Sequence, residues 1–302
     1  MNSKVDGIII LAGGEGVRLR PLTYDMPKLM IPFLSETYLE YIINSVDNII
    51  CHNIPVIISA GYKSDCIDIS NMHYTSIVKE DKPLGTGGAI RFTLQQSDFK
   101  NPLILNGDLV LNFFNDLSVM SNIHNTTPEW CTIMASEKYN PCRYGNIQHN
   151  NWIMTDFIEK PSSPKSFKSL VSTGIYIINS EKYLQFTKDY PDFFSIEKDI
   201  FAFCPPGIRI FQGGNFSDIG TIESYRETQI RLNGGESVIN KNCKIHPTAV
   251  INNSVIHKNV TIGANVIIDK CIIAQSSIIQ DNCQLKNICI ASNSVLQKGT
   301  IC

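Results

Sequence analysis

The stretch LAGGEGVRLRPLTYDMPK, residues 11–28, follows a run of aliphatics and holds three glycines, two arginines and a lysine. Gly13, Gly14 and Gly16 come directly after an apolar strand, so backbone amides there can turn toward a ligand with no side chain in the way. Amides together with Arg18 and Lys28 suit several negative charges at once. The spacing is GGxG, which differs from the GxGxxG of dinucleotide folds, and no GK[ST] follows as in a Walker loop. Redox chemistry and conventional ATP hydrolysis both lose support.

Outward from this loop, short β-rich runs alternate with amphipathic stretches up to about residue 232. DGIIILA, IPVIISA, TSIVKE, PLILNGD, WCTIMAS and VSTGIYII read as strands. Leu39, Ile42, Ile43, Val46 and Ile50 recur at helical spacing between the first two. Strand and helix in alternation give an α/β fold, a Rossmann-like and mostly parallel sheet covered on both faces. Ligands in such folds sit beyond the C-terminal strand ends. The glycine loop, NGD after Leu105 and PLGTGGAI after the strand near Val78 all fall there.

A helix over Ile222–Leu232 is expected to end at NGG, placing a boundary between domains 1–232 and 237–302. The second domain repeats every 17 residues. Ile245, Ile262, Ile279 and Leu296 form one column, Ile251, Ile268 and Leu285 a second, and Ile239, Ile256, Ile273 and Ile290 a third. Column spacings of six, six and five describe a hexapeptide-repeat parallel β-helix of about three coils, with one corner shortened. Ala249, Val266, Cys283 and Thr300 fit its narrow interior, and Cys271, Cys283 and Cys289 are packing residues. An open last coil leaves strand edges, so a homo-oligomer through the β-helix is expected.

The chain has 302 residues, a net charge of −2 and an apolar fraction of 43%, enough for a sizeable core. No lysine or arginine run supports a nucleic-acid partner or an anionic membrane. The run Ile8–Ala12 is too short for a signal core, and a cytoplasmic location with reduced cysteines is expected. Abundant Ile and Asn suggest an AT-rich genome.

LAGGEGVRLRPLTYDMPKLMIPF, PLGTGGAI, LNGD, RYG, FIEKP, STGIYI and FSDIGTIESY, in this order, resemble the sugar-1-phosphate nucleotidylyltransferases, or NDP-sugar pyrophosphorylases. The resemblance covers about residues 6–230, and a left-handed β-helix tail is a familiar partner in that family. It implies attack of a sugar-1-phosphate oxygen on the α-phosphorus of a nucleoside triphosphate, with release of pyrophosphate. Charge placement and alignment carry such a reaction. It further implies that Leu11, Ala12, Gly13, Gly14, Gly85 and Thr86 border the nucleotide. Arg18 would hold the leaving phosphates, and Lys28 would lie at the reacting phosphate. Asp108 and Asp218 would hold magnesium. Gly145, Glu159, Lys160, Thr173, Gly174 and Glu197 would contact the sugar phosphate.

Val17, Phe216 and Ile222 depart from common family choices of threonine, tryptophan and proline, yet none removes a charge the reaction needs. PLGTGGAI, RYG and SIEKD resemble guanylyltransferases acting on heptose- or mannose-1-phosphate with GTP, whereas the β-helix tail points toward mannose-1-phosphate guanylyltransferases or N-acetylglucosamine-1-phosphate uridylyltransferases using UTP, so base and sugar both stay open. Two other classes stay open. Hexapeptide β-helices serve acyltransferases, for which His246 and His257 would be candidates, although both read as corner residues. A noncatalytic nucleotide-sugar-binding regulatory subunit is disfavoured by intact Arg18, Lys28, Asp108 and Asp218.

Overall fold

The computed structural model describes residues 5–50, 54–110, 114–139, 141–163, 166–214 and 216–302; the side chains of 47–50 and 114–115 lie outside the description. It contains two compact units built from non-contiguous segments: Met1–Gly14 with Ile42–Phe216, and Glu15–Tyr41 with Ser217–Cys302.

The first unit is organised by nine strands: β1 Ile8–Ala12, β2 Val56–Ala60, β3 Thr75–Lys79, β4 Leu103–Asn106, β5 Cys131–Tyr139, β6 Gly145–Asn150, β7 Ile153–Glu159, β8 Lys168–Ile178 and β9 Ile208–Gln212. They form one sheet in the order β3-β2-β1-β4-β8-β5-β9-β7-β6. The pairs β3–β2, β2–β1, β1–β4 and β5–β9 are parallel. β8 and β7 run against the rest, so the sheet is mixed and still mostly of one direction. The order reverses between β1 and β4, the switch point at which α/β sheets leave a crevice for ligands.

Side-chain alternation explains the layers. Cys131, Ile133 and Ala135 of β5 join the core formed with Ile90 and Leu94 of α2 (Gly85–Leu94) and Tyr183 of α4 (Ser180–Thr187). Thr132, one residue out of step, meets His124 of α3 (Phe114–Thr126) at 2.9 Å on the opposite face. Helix α1 (Tyr38–Ile50) buries Leu39, Ile42, Ile43 and Val46 as its stripe predicts, while the Ile50 side chain lies outside the described residues.

In the second unit the 17-residue period is the lateral register of three parallel sheets. Ile245 pairs Ile262, Ile279 and Leu296 in succession; Ile251 pairs Ile268 and Leu285; Ile239 pairs Ile256, Ile273 and Ile290. Apart from Ile239, which is half exposed, these columns fill the β-helix interior with Val260, Val266, Cys271 and Cys283. Its corners turn on left-handed residues at the same period: Asn242, Asn259, Ser276 and Asn293 at one, Asn253, Lys270 and Asn287 at another, and Asn265, Asn282 and Gly299 at the third. Asparagine tolerates this backbone region better than most residues. The abundance of Asn therefore has a structural use that a genome-composition reading overlooks.

Helix α5 (Ile222–Leu232) starts at a capping box on Thr221 and Ser224. It stops where the Gly235 N–H reaches the Ile230 carbonyl, with Gly234 and Gly235 both left-handed. Its Tyr225 is fully buried beside Phe33, donates to the Pro32 carbonyl and meets His257 Nε2 at 3.0 Å. The nine cysteines among the described residues are free thiols. No described helix is long and apolar enough to cross a membrane.

Candidate functional site

At the switch point of the first unit, β1 ends in half-buried Leu11 and Ala12 and then exposed Gly13 and Gly14. The Gly107 N–H donates to the Leu11 carbonyl at 3.0 Å, tying the turn after β4 to the turn after β1. That turn carries half-buried Asp108. Just before it, the Asn106 amide lies against Gly174, and Asn106 Oδ1 is buried without a protein hydrogen-bond partner. A buried acceptor left without a partner is uncommon in folded proteins.

Beneath the glycine loop lies a group the sequence reading missed. Glu80, the residue after β3, is buried, and its Oε1 accepts from the Ser59 hydroxyl at 2.9 Å. A Cβ added to Gly13 would stand 3.0 Å from this carboxylate, so the loop backbone passes directly over it. Burial pushes the Glu80 carboxyl up, and hydrogen bonds from Ser59 and the Leu84 backbone offset this only in part. The result is a desolvated acceptor at the loop's floor. Its position at the C-terminal end of a parallel strand was the available signal.

Within PLGTGGAI, α2 begins at Gly85, with Leu84 at its N-cap. Gly85 has φ 69°, and a Cβ on it would fall 2.5 Å from the Phe194 carbonyl. On Gly88 a Cβ would fall 2.2 Å from the Asp192 carbonyl. Three glycines stand in one helix where the backbone of Asp192 and Phe194 and the Phe194 ring occupy the space their side chains would take. Thr86 opens that helix and reaches Glu197 Oε2 at 2.5 Å.

Toward the other end of the sheet, Gly145 and Glu159 are register partners in β6 and β7. Gly145 packs against the Phe157 ring and Glu159 Oε2, and Glu159 Oε1 pairs with Lys160 Nζ at 2.9 Å. Lys160 itself is exposed, with a left-handed φ of 45°. RYG and FIEKP thus meet. Thr173 and Gly174 form an irregularity in β8 between Ser172 and Ile175. The buried Thr173 hydroxyl donates to the Met134 carbonyl at 2.9 Å, so its proton serves the strand.

In the second unit Gly16, at φ 64°, starts a short helix over Val17–Leu19 that carries the exposed Arg18, and the Thr23 hydroxyl braces the Gly16 carbonyl at 2.9 Å. Val17 is 54% exposed, so no buried group there lacks the hydroxyl of a threonine. Half-buried Lys28 opens the next short helix, Lys28–Met30. Asp218 Oδ1 accepts from the Gly220 N–H at 3.0 Å. A Cβ on Gly220 would meet that same oxygen at 3.0 Å and an Arg18 guanidinium nitrogen at 3.2 Å, so both groups border Gly220.

Of the two tail histidines, His257 is shut away from any substrate. His257 is not an exposed corner: it is sealed against Tyr225, and burial pushes its pKa down to about 4. His246 is a corner residue, its Nδ1 beside the Thr248 hydroxyl at 3.0 Å.

Comparison with known proteins gives a match to the family model "Nucleotidyl transferase" over residues 8–233 and to "GMPPB C-terminal domain" over residues 229–302. The D-glycero-alpha-D-manno-heptose 1-phosphate guanylyltransferase of Aneurinibacillus thermoaerophilus is 30% identical over 74% of this chain and 97% of its own. The mannose-1-phosphate guanyltransferase of Pichia angusta is 27% identical over 57% of this chain and 49% of its own length. The bifunctional protein GlmU of Acholeplasma laidlawii is 27% identical, and the match spans 60% of this chain and 39% of that one. Thus the match takes in nearly the whole heptose enzyme and about half or less of the other two. The crystal structure of HddC from Yersinia pseudotuberculosis complexed with GMP-PN superposes with a TM-score of 0.62 at 25% identity, covering 76% of this chain and 100% of that chain.

Proposed function

This chain belongs to the nucleotidyl transferase family, and we propose that it transfers a guanylyl group from GTP to a hexose- or heptose-1-phosphate. A phosphate oxygen of the sugar-1-phosphate attacks the α-phosphorus of GTP. The new P–O bond forms as the bond to the β-phosphate oxygen breaks, and pyrophosphate leaves with the electron pair.

The observation that carries the choice of base is Glu80. Guanine presents two adjacent N–H donors on its Watson–Crick edge, a match for a carboxylate that burial has stripped of water. Uracil presents one N–H between two carbonyl oxygens, and those oxygens would repel the same group. The relatives named for guanylyl transfer and the neighbour holding GMP-PN support this reading.

The remaining roles follow the chemistry of the side chains. Leu11, Ala12, Gly13 and Gly14 border the triphosphate with backbone groups, and Gly85 and Thr86 flank the base. Arg18 stabilises charge growing on the leaving pyrophosphate, and Lys28 does so at the reacting phosphate. Gly145, Glu159, Lys160 and Gly174 face the sugar phosphate. Among the described residues no three His, Cys, Asp or Glu side chains cluster as a metal cage. Two hard carboxylates, Asp108 and Asp218, nevertheless suit a magnesium ion that takes its other ligands from phosphate and water. When bound, that ion neutralises phosphate charge. We place the enzyme in the cytoplasm and assign self-association to the β-helix.

The test is pyrophosphate release, with magnesium, across a matrix of nucleoside triphosphates and sugar-1-phosphates. Release with GTP and mannose- or heptose-1-phosphate is expected. Silence across every pair would sink the assignment.

A further inference from the structure

Glu197 was expected against the sugar, yet three protein hydroxyls converge on its carboxylate. Oε2 accepts from Thr86 Oγ1 at 2.5 Å and from Ser195 Oγ at 2.7 Å, and Oε1 accepts from the Tyr176 hydroxyl at 3.3 Å. Two of the proton directions are fixed by the backbone. The Ile196 N–H donates to Thr86 Oγ1 at 3.0 Å, and the Lys198 N–H donates to Ser195 Oγ at 3.2 Å. With a lone pair of each hydroxyl engaged this way, its proton points at Oε2. Short hydrogen bonds to an ionised acceptor are the strong ones.

The three hydroxyls come from three separate motifs. Thr86 lies in the first turn of α2, Tyr176 in β8 just beyond Thr173 and Gly174, and Ser195 at the N-cap of a π-helical turn, Ile196–Ile200. Single π-turns are rare in helices and recur at functional sites. The chain leading into this one is seated on α2. The Gly87 and Gly88 N–H groups donate to the Phe194 carbonyl at 3.0 and 3.2 Å, and the Phe194 N–H donates to the Leu84 carbonyl at 3.0 Å. No side chain fits between: a Cβ on Gly87 would lie 2.3 Å from the Phe194 ring. Helix start and π-turn are therefore one block, with the Glu197 carboxylate as its pin.

We propose that Glu197 is a positioning residue, which fixes the Gly85–Thr86 turn through Oε2 and joins it to the strand bearing Thr173 and Gly174. This rests on the reading of Gly85 and Thr86 as the nucleotide side of the site. Its consequence differs from that of a sugar ligand. Losing Glu197 loosens the nucleotide turn and leaves sugar affinity alone.

Steady-state kinetics with both substrates varied separates the two roles. Glu197→Ala should raise the KM for the nucleoside triphosphate about tenfold, the size of one charge-assisted hydrogen bond. The KM for the sugar phosphate should stay within about twofold on the same arithmetic. Glu197→Gln, which keeps one acceptor oxygen and the shape, should show a smaller rise in the same constant. Thr86→Val should behave as Glu197→Ala, and the Thr86→Val/Glu197→Ala pair should be no worse than Thr86→Val alone. If Glu197→Ala fails to fold, the cycle is run with Glu197→Gln. A raised sugar KM with an unchanged nucleotide KM, or additive single effects, overturns the assignment. No turnover by the unmodified protein overturns it together with the functional reading.

Discussion

Glu80→Gln is the most discriminating substitution in the chain, because it should weaken function and spare the fold. The buried carboxylate takes one hydrogen bond from the Ser59 hydroxyl, at 2.9 Å, and its pKa is raised by burial. A glutamine keeps an oxygen for Ser59. It replaces the second acceptor by an NH2 group, which faces a guanine donor with another donor. A hydrogen bond to a charged group contributes about 1.5–3 kcal/mol, so kcat/KM for GTP should fall roughly 10- to 150-fold. Uracil presents carbonyls, which the new NH2 can serve, so kcat/KM for UTP should hold or rise. Stability works in the opposite sense. A raised carboxyl pKa means that the native state favours the protonated form, so this group stabilises the fold below the unfolded carboxyl pKa and loses that contribution as pH rises through the native one. The neutral amide should therefore leave the thermal midpoint at pH 7 unchanged or higher. The assay is pyrophosphate release with GTP and UTP in parallel, beside a thermal melt. A Glu80→Gln protein with an unchanged GTP-to-UTP ratio would refute the role given to this carboxylate.

Four further outcomes follow from the geometry. Gly220→Ala puts a methyl 3.0 Å from Asp218 Oδ1 and 3.2 Å from Arg18; turnover should fall at least about tenfold, the effect of a small misplacement at a reacting centre, with little loss of helix signal. Asp108→Asn and Asp218→Asn should each abolish magnesium-dependent turnover while circular dichroism stays native, and activity surviving with the same magnesium dependence would remove them as ligands. Gly88→Ala drives a methyl to within 2.2 Å of a backbone carbonyl; overpacking of this kind costs about 1–3 kcal/mol, readable as a lower urea midpoint. His257 and His124 both have native pKa values pushed down to about 4. The unfolded chain binds more protons between that value and 6.5, so stability falls on acidification, by about 2 kcal/mol per histidine between pH 7 and pH 5; His257→Gln should flatten that slope in urea titrations.

The β-helix was legible in the sequence because its period is its register: a column of Ile245, Ile262, Ile279 and Leu296 is also a ladder of paired strands. Strands β1 to β5 and β8 were legible from aliphatic runs. β6, which reads GNIQHN, was not, because only Gly145 and Ile147 are buried and its outer half is polar. The helix over the GTGG segment was not legible because glycine disfavours helix; its neighbour Phe194 is 107 residues downstream of Gly87 in sequence and invisible to local propensity. Glu80 and the hydroxyl cluster on Glu197 share that difficulty. Ser59 and Glu80 are 21 residues apart, Thr86 and Glu197 are 111 apart, and only the folded sheet brings them together. Arg18 and Asp218 were found as motif members, but their common contact with Gly220 has no trace in either motif alone.

The central claim is guanylyl transfer, and a competition reaction reads it directly. The protein is given GTP, UTP, CTP and ATP at equal concentration with magnesium and a mixture of mannose-, heptose- and N-acetylglucosamine-1-phosphate, and the nucleotide-sugar product is weighed by mass spectrometry. A GDP-hexose or GDP-heptose as the dominant product is the predicted result. A dominant UDP-N-acetylglucosamine, or no nucleotide-sugar at all, would contradict it.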